Sequence, residues 1–142
     1  MALEARATGY SGTPLARKLG IGEGMKVLCL DAPADFTIPE LPAAAQLARR
    51  AGKGPYPVAL VFVREAADVK PRFARAAARV AEGGAVWMVW PKKSSGVVTD
   101  VTEDVLRALI LPTGFVDTKV CAVDSTWSGL RFVLRVSRRA PR

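Results

Sequence analysis

The segment P-K-K-S-S-G at residues 91–96 places two ammonium groups and two hydroxyls directly after a strongly apolar stretch. Its chemically active members are Lys92, Lys93, Ser94, Ser95 and Gly96. A helix predicted to begin shortly after residue 100 would add the amides of its first turn, which carry partial positive charge. Ammonium groups, hydroxyls and helix-start amides together are typical of an anion site. A solvated loop is the alternative, since short lysine-serine strings are common.

Three further residues could take part in binding. Asp31 follows the first apolar run, Tyr10 lies in the loop G-Y-S-G-T, and Trp127 lies in the turn D-S-T-W-S-G. A loop tyrosine or tryptophan can close over a ligand ring or can simply pack against the domain. Trp87, in contrast, stands inside an apolar run and is expected in the core.

The chain contains no histidine. Its absence removes the commonest general base, the commonest metal ligand, and the Ser-His and Cys-His nucleophile pairs. Cys29 and Cys121 sit in apolar stretches without metal-ligand spacing, so we expect two buried thiols, no bond between them and no metal site. Any catalysis would depend on Lys, Asp, Glu, Tyr or Cys.

The charge is unevenly distributed. Twenty-one basic residues against thirteen acidic ones give a net charge of +8, and the last twelve residues hold no acid but five arginines, namely Arg131, Arg135, Arg138, Arg139 and Arg142. Such a segment can attract polyanions. Alternatively, it protects a strand edge and ends in a disordered basic tail, which we expect over residues 137–142.

Length and hydropathy indicate one compact domain over residues 1–142, because half of the residues are apolar and can build a core. The longest apolar runs are far shorter than the ~20 residues that cross a bilayer, and residues 1–20 lack a secretory pattern. We therefore expect a cytoplasmic protein without a membrane partner.

Three short valine-rich runs, at 26–30, 57–63 and 85–90, predict strands buried on both faces, as in a parallel sheet. An amphipathic helix precedes the third run, starts or kinks near Pro71, and ends at Gly83-Gly84. A second helix, capped by Asp100 or Thr102, follows that run. An antiparallel hairpin ends the chain. Residues 32–56 are the least readable, with a helix by propensity and a short strand near 46–50 as alternatives.

At the N-terminal side, Thr13 and Pro14 predict a helix start and Gly20 its end, with Leu15 and Leu19 inward. The elements together predict a single Rossmann-like α/β domain, with a mostly parallel sheet flanked by helices and a C-terminal antiparallel hairpin. Ligands bind such sheets outside the carboxyl ends of the strands. Asp31, Arg64-Glu65 and the segment 91–96 should all emerge at this edge.

The glycine pattern argues against common cofactors. G-I-G-E-G at residues 20–24 precedes the first strand, whereas a phosphate- or adenosyl-binding glycine loop must follow it. After that strand the chain instead reads D-A-P-A-D-F. We therefore expect no cofactor, with S-adenosylmethionine disfavoured.

Five separated segments carry a resemblance, and they are G-Y-S-G-T-P-L-A-R-K-L-G-I, G-M-K-V-L-C-L-D-A-P, V-W-M-V-W-P-K-K-S-S-G, T-D-V-T-E-D-V and K-V-C-A-V-D-S-T-W-S-G-L-R-F-V. They resemble a family of small bacterial proteins classed as a domain of unknown function, number three-zero-five-two. More distantly, the entry to the first strand and the terminal hairpin are similar to class I methyltransferases. That resemblance implies an S-adenosylmethionine-type scaffold, from which Asp31-Ala32-Pro33 departs at the glycine loop.

Three functional hypotheses follow. The first is a non-catalytic or regulatory module that binds an anionic ligand (a nucleotide, phosphate or a nucleic-acid backbone) through the 92–96 segment and Asp31. The second is a divergent methyltransferase-like transferase, in which Asp31 or Lys92 acts on a substrate that Tyr10 and Trp127 enclose. The third is an assembly module that docks a protein partner through an open sheet edge or the arginine-rich hairpin.

Overall fold

The computed structural model describes residues 13–135 and contains one six-stranded sheet in the order β2-β1-β3-β4-β6-β5. The strands are β1 (Lys26–Leu30), β2 (Gln46–Ala48), β3 (Tyr56–Phe62), β4 (Val80–Pro91), β5 (Phe115–Ala122) and β6 (Trp127–Leu134). The helices are α1 (Leu15–Leu19), α2 (Ala66–Ala77) and α3 (Glu103–Ile110), with 3₁₀ turns at Lys93–Ser95 and Leu111–Thr113. Strands β1 to β4 are parallel, and β6 runs antiparallel to β4 and β5. The predicted fold class is confirmed.

Apolar strand residues alternate between the two faces of the sheet, and each face has its own core. Helices α2 and α3 cover one face through Val69, Phe73, Ala76, Leu106 and Ile110. Helix α1 and the connection between β1 and β2 cover the other face, where Trp87, Leu60 and Phe62 are at most 1% exposed. The indole Nε1 of Trp87 donates to the carbonyl of Leu19 at 3.0 Å. Trp87 is therefore a core residue, as predicted.

The boundaries of α2 differ from the prediction. The helix begins at Ala66, contains Pro71 internally and ends at Ala77, so the two glycines lie within β4 instead of ending the helix. The register between β3 and β4 shifts between Tyr56 and Val58. At this irregularity a Cβ on Gly84 would stand 2.8 Å from the Ala81 carbonyl oxygen, too close for any side chain. Gly84 is therefore required by close backbone approach in the sheet, and Gly83 by its left-handed backbone, φ 82°.

Helix α1 is shorter at its start than the sequence indicated. It begins at Leu15, and Pro14 occupies the cap position, where no side chain caps the helix. Ala16 and Leu19 are buried, while Leu15 is half-buried. Gly20 ends the helix with a left-handed backbone, φ 84°, as predicted.

Residues 31–45 connect β1 to β2 without a helix, and β2 is the short strand that the sequence left as an alternative. Phe36 and Ile38 anchor this connection in the core. The Arg49 guanidinium donates to the carbonyl of Pro33 at 3.3 Å and to that of Phe36. An arginine thus satisfies backbone groups that a helix would have satisfied itself.

No helix within residues 13–135 is long and apolar enough to cross a membrane. Cys29 and Cys121 are both free and buried, as predicted. Tyr10 and the predicted tail at 137–142 lie outside the described residues.

Candidate functional site at the carboxyl edge of the sheet

A cavity of about 460 Å³ opens where the chain reverses its direction of winding across the sheet. From β1 the chain first moves outward to β2 and then returns to β3 on the other side of β1, so the carboxyl ends of β1 and β3 flank a topological switch point. Ligands of open α/β sheets bind at such points. We call this hollow the switch cavity; its lining residues are Asp31, Ala32, Pro33, Phe62, Val63, Arg64, Glu65, Asp68, Arg72 and Trp127.

Asp31 makes the turn that leaves β1. Its backbone has φ 63°, in the left-handed region that glycine adopts most easily and that aspartate tolerates better than most residues. The sequence contains no glycine here, yet the backbone takes a conformation that glycine favours. The carboxylate of Asp31, which a glycine would lack, lies 3.6 Å from the Nε of Arg72.

Arg72 organises the wall opposite Asp31. Besides its contact with Asp31, its Nη1 donates to the carbonyl of Phe62 at 2.9 Å and its Nη2 lies 3.5 Å from the Asp68 carboxylate. Every guanidinium nitrogen is thus engaged. Sequence reasoning missed this residue, although the Asp68-Arg72 spacing of four on a helix was a usable signal.

Arg64 and Glu65 connect β3 to α2, and both side chains are exposed and form no ion pair with any residue in the range 13–135. Their backbone is nevertheless held in place. Thr99 Oγ1 donates to the carbonyl of Arg64 at 2.6 Å, and the amide of Ala66 donates to Asp100 Oδ1 at 2.7 Å. The loop after the 91–96 segment thus fixes one wall of the switch cavity.

This contact decides between the two predicted caps of α3. Asp100 caps the start of α2, and Thr102 caps α3 by accepting from the amide of Val105 at 3.1 Å. The predicted capping box between Asp100 and Glu103 does not form. Asp100 instead serves a helix 34 residues earlier in the chain.

The aromatic wall consists of Trp127 packed edge-to-face on Phe62, with ring centroids 5.0 Å apart and planes at 80°. Phe62 in turn contacts Phe36 at 4.8 Å. Asp124 Oδ1 accepts from the amides of Thr126 and Trp127, both at 2.8 Å. The half-buried tryptophan is therefore held in a defined position beside Asp31.

No residue of the 91–96 segment lines the switch cavity. Lys93 lines a second hollow of about 580 Å³, together with Trp90, Pro91, residues 97–99, Val101 and the start of α3 at 102–104. Lys92, Ser94, Ser95 and Gly96 line neither hollow. The Ser95 hydroxyl is used within the segment, because it donates to the Lys92 carbonyl at 2.6 Å and accepts from the Val97 amide at 3.1 Å. The structure thus groups Asp31 with Trp127 but separates both from Lys93.

The start of α3 is an unfavourable place for an anion. Its first turn carries Glu103 and Asp104, whose carboxylates lie 2.8 Å and 3.5 Å from the guanidinium of Arg107. Hydrogen bonds to Asp117 and Glu103 raise the pKa of Arg107 above its ordinary value. Glu103 and Asp104 are paired with Arg107 and lie beside the amides of the first helical turn. An anion near Lys93 would therefore be close to two carboxylates.

The cysteines lie under α1 and the 31–45 connection. Burial raises the pKa of Cys29 to about 11, opposed by the nearby charge of Arg49. Burial also raises the pKa of Cys121. Neither thiol is suited to act as a nucleophile at neutral pH. Within the described range there is no group of three or more His, Cys, Asp or Glu residues that could hold a metal ion.

Comparison with known proteins supports the fold and not the closer resemblance. No protein-family model and no curated protein sequence matches the chain, so membership of the small bacterial family is not supported.

Solved structures, among them methyltransferases, share the fold. An S-adenosylmethionine-dependent methyltransferase from Aquifex aeolicus is similar with a TM-score of 0.57 at 13% identity, over 83% of this chain and 86% of that one. The N-methyltransferase NodS from Bradyrhizobium japonicum WM9 gives 0.54 at 14%, over 90% and 93%. The fibrillarin pre-rRNA processing protein of Methanococcus jannaschii gives 0.57 at 12%, over 93% and 74%. At these identities the likeness shows the fold alone, which is that of class I methyltransferases.

Proposed function

We propose that the protein is a methyltransferase-like module that binds a nucleoside-class ligand with a positive centre in the switch cavity, and that S-adenosylmethionine belongs to this class. The observation that carries the proposal is the position of the cavity at the switch point between β1 and β3. Its volume of about 460 Å³ lies within the range of ~300–1,000 Å³ of small-molecule sites.

The charges of the lining favour a positive centre. Three carboxylates (Asp31, Glu65 and Asp68) accompany two guanidiniums (Arg64 and Arg72), which leaves one negative charge in excess. Arg72 is already shared between two of the carboxylates, so it offers little to a phosphate. A polyphosphate would therefore meet net repulsion, whereas a sulfonium or ammonium would be attracted.

Shape and hydrogen bonding supply the rest of the support. Trp127 offers a fixed aromatic surface for a ring, and the unpaired carboxylate of Glu65 can accept from ligand hydroxyls.

The proposal departs from the expectation of no cofactor because the left-handed backbone of Asp31 supplies part of what a glycine provides. We propose binding and no reaction. Arg72 is paired with the carboxylates of Asp31 and Asp68, so Glu65 is the one carboxylate of the lining that is available as a base.

Calorimetric titration with S-adenosylmethionine, adenosine and ADP tests the proposal. We expect low-micromolar binding of S-adenosylmethionine, or about −8 kcal/mol, and weaker binding of ADP. Glu65→Gln should weaken S-adenosylmethionine binding by up to about tenfold, because a charge that attracts the sulfonium is lost. Adenosine should be weakened less, because the amide oxygen of the glutamine still accepts from hydroxyls. Asp35→Asn is the control, because Asp35 is an exposed carboxylate of the 31–45 connection that does not line the cavity. If no nucleoside binds, or if ADP binds most tightly, the proposal is wrong.

A second candidate is the anionic ligand predicted from the 92–96 segment. Lys92 and Lys93 form no ion pair within residues 13–135, and the amide of Lys92 joins the carbonyl of Thr126 at 2.7 Å, next to Trp127. A phosphate could therefore bind at the rim without entering the cavity. Replacing both lysines with alanine should abolish binding of inorganic phosphate or ADP and leave the melting temperature nearly unchanged, because exposed charges contribute only ~0–1 kcal/mol to folding. Phosphate binding that survives the replacement would eliminate this candidate.

A further inference from the structure

We infer that three cations on the α1 face of the sheet, Lys18, Lys119 and Arg131, form a docking surface for a nucleic-acid backbone. We call them the basic patch. The inference concerns a surface away from the switch cavity and does not depend on the function proposed there. Two of these cations, Lys119 and Arg131, are paired across neighbouring strands, an arrangement that sheets normally avoid.

Lys119 and Arg131 stand directly opposite each other in the β5–β6 ladder. Opposite residues in an antiparallel pair project from the same face, and like charges at such positions are destabilising. Arg131 is also opposite Trp87 of β4, whose side chain lies in the core beneath α1. The two cations therefore share the α1 face.

Lys18 of α1 completes the patch. Lys18 precedes Leu19, which packs in the same core as Cys121, and Lys119 stands two residues before Cys121 on β5 and so projects from the same face. The positive charges of Lys18 and Lys119 also oppose the rise that burial gives to the pKa of Cys121. Cys121 belongs to the core that α1 covers. None of the three cations forms an ion pair with a residue between 13 and 135. Three positive charges are thus gathered, and no carboxylate in the described part of the chain forms an ion pair with them.

Edge protection explains only part of this arrangement. Strand β5 is the edge of the sheet, and a lysine on an edge strand discourages pairing with another chain. Arg131, however, lies on β6, which is paired on both sides. Its guanidinium is also held, since Nη1 donates to Thr118 Oγ1 at 3.0 Å at the register shift in β5. A bulge re-aims side chains, and here it fixes a cation beside Lys119.

A polyphosphate backbone is the partner that this surface fits. Closely spaced cations neutralise successive phosphates, and the displaced counterions supply the binding free energy. Phe115 and Phe132, the aromatic residues in the paired β5 and β6 positions, pack in the core of the opposite face and offer no ring on which a base could stack beside the cations. Recognition should therefore be independent of sequence.

Fluorescence anisotropy with a labelled oligonucleotide, single-stranded and duplex, tests the inference. The double variant Lys119→Gln/Arg131→Gln should bind at least about tenfold more weakly at low salt, and the slope of log affinity against log salt should flatten by about two phosphate contacts, at roughly 0.9 each on duplex DNA. Its melting temperature should not fall, because the like-charge pair is removed. S-adenosylmethionine binding should be unaffected, which separates this test from that of the switch cavity.

A matched control removes the same two charges elsewhere. Lys70→Gln/Arg75→Gln changes two exposed cations on α2, on the opposite face of the sheet, and should keep nearly all of the affinity. An equal loss of affinity in this control would show that binding depends on the net charge of the protein and not on the basic patch. Three other results overturn the inference: no binding by the unaltered protein, binding lost only when Arg138, Arg139 and Arg142 become glutamine, or binding to anionic phosphatidylserine vesicles but not to the oligonucleotide.

Discussion

The two faces of the sheet reach the same degree of burial by different means. On one face, 20 residues of regular helix in α2 and α3 cover the strands. On the other, the five residues of α1 and the irregular connection 31–45 do so, yet Trp87, Leu60 and Phe62 are as buried as any residue beneath α2. The strand residues thus dictate burial, and the covering segment needs only to supply enough apolar side chains.

The faces differ in how the covering backbone is satisfied. A helix pairs most of its own amides and carbonyls, whereas an irregular cover must find partners for them. On the α1 face those partners are side chains from elsewhere, since Arg49 donates to Pro33 and Phe36 and Trp87 donates to Leu19. The α1 face is therefore the more dependent on individual polar contacts, while both faces contribute residues to the lining of the switch cavity.

The largest expected effect comes from truncating one aromatic on each face. Phe73 is 3% exposed and contacts Phe115 and Phe132 edge-to-face, with centroids 5.0 Å and 6.3 Å away. Phe73→Ala should lower the free energy of unfolding by about 3–5 kcal/mol. Phe36→Ala should cost less, at or below the lower end of that range, because an irregular connection relaxes into a void more easily than a helix. Urea unfolding measures both, and an equal or larger loss for Phe36→Ala would show that the connection is packed as rigidly as α2.

An intermediate effect is expected from Arg49→Met, which keeps the apolar stem but removes both hydrogen bonds to the connection. The loss of stability should be about 1–2 kcal/mol, the usual consequence of leaving carbonyls without partners. Binding in the switch cavity should also weaken, because Pro33 lines it. Arg50→Met, at the exposed neighbouring position, is the control and should change neither quantity by more than ~0.5 kcal/mol. Equal losses of stability and of binding in the two variants would show that the hydrogen bonds of Arg49 do not stabilise the connection.

The effect that is smallest at neutral pH is a pH dependence of stability that arises from Cys29 on the α1 face. Burial raises the pKa of Cys29 from 9.0 to about 11, so the folded state keeps a proton that the unfolded state loses first. Stability should therefore be intact below pH 9 and fall as the pH rises from about 9 to about 11, by at most about 1.4 kcal/mol per pH unit. Comparing unfolding of wild type with Cys29→Ala over this range isolates the contribution. A Cys29→Ala variant with the same alkaline slope would assign the slope to other groups.

Most of the fold was predictable because the signals are local. The run at 26–30 and that at 57–63 matched β1 and β3 within one residue, since continuous valine-rich runs of this length are typical of strands covered on both faces. β4 extends further toward its start than predicted, because a bulge hides the pairing of Val80 from any period-two pattern. β2 was left open, since its three residues carry almost no pattern and prolines surround it.

The candidate site was only partly predictable. Asp31 and Arg64-Glu65 were expected at the ligand edge because they follow predicted strands, and Trp127 was singled out as a tryptophan in a turn; all four line the switch cavity. Arg49 was missed because its partners are backbone carbonyls, which have no sequence signature. The sequence did not predict that Asp31 and Lys93 line different hollows. Strand order places both loops at one edge of the sheet, but it does not give the distance between their side chains.

The hydrogen bond from Ala66 to Asp100 has a consequence for how the domain assembles. Helix α2 precedes β4 in the chain, but the side chain that caps its first amide arrives only after β4 has been added and the next loop has folded back. A peptide of residues 66–78 lacks this acceptor, so its first turn should fray even though its interior is rich in alanine. The start of α2, and with it the wall formed by Arg64 and Glu65, is thus a product of tertiary closure that no local propensity could encode.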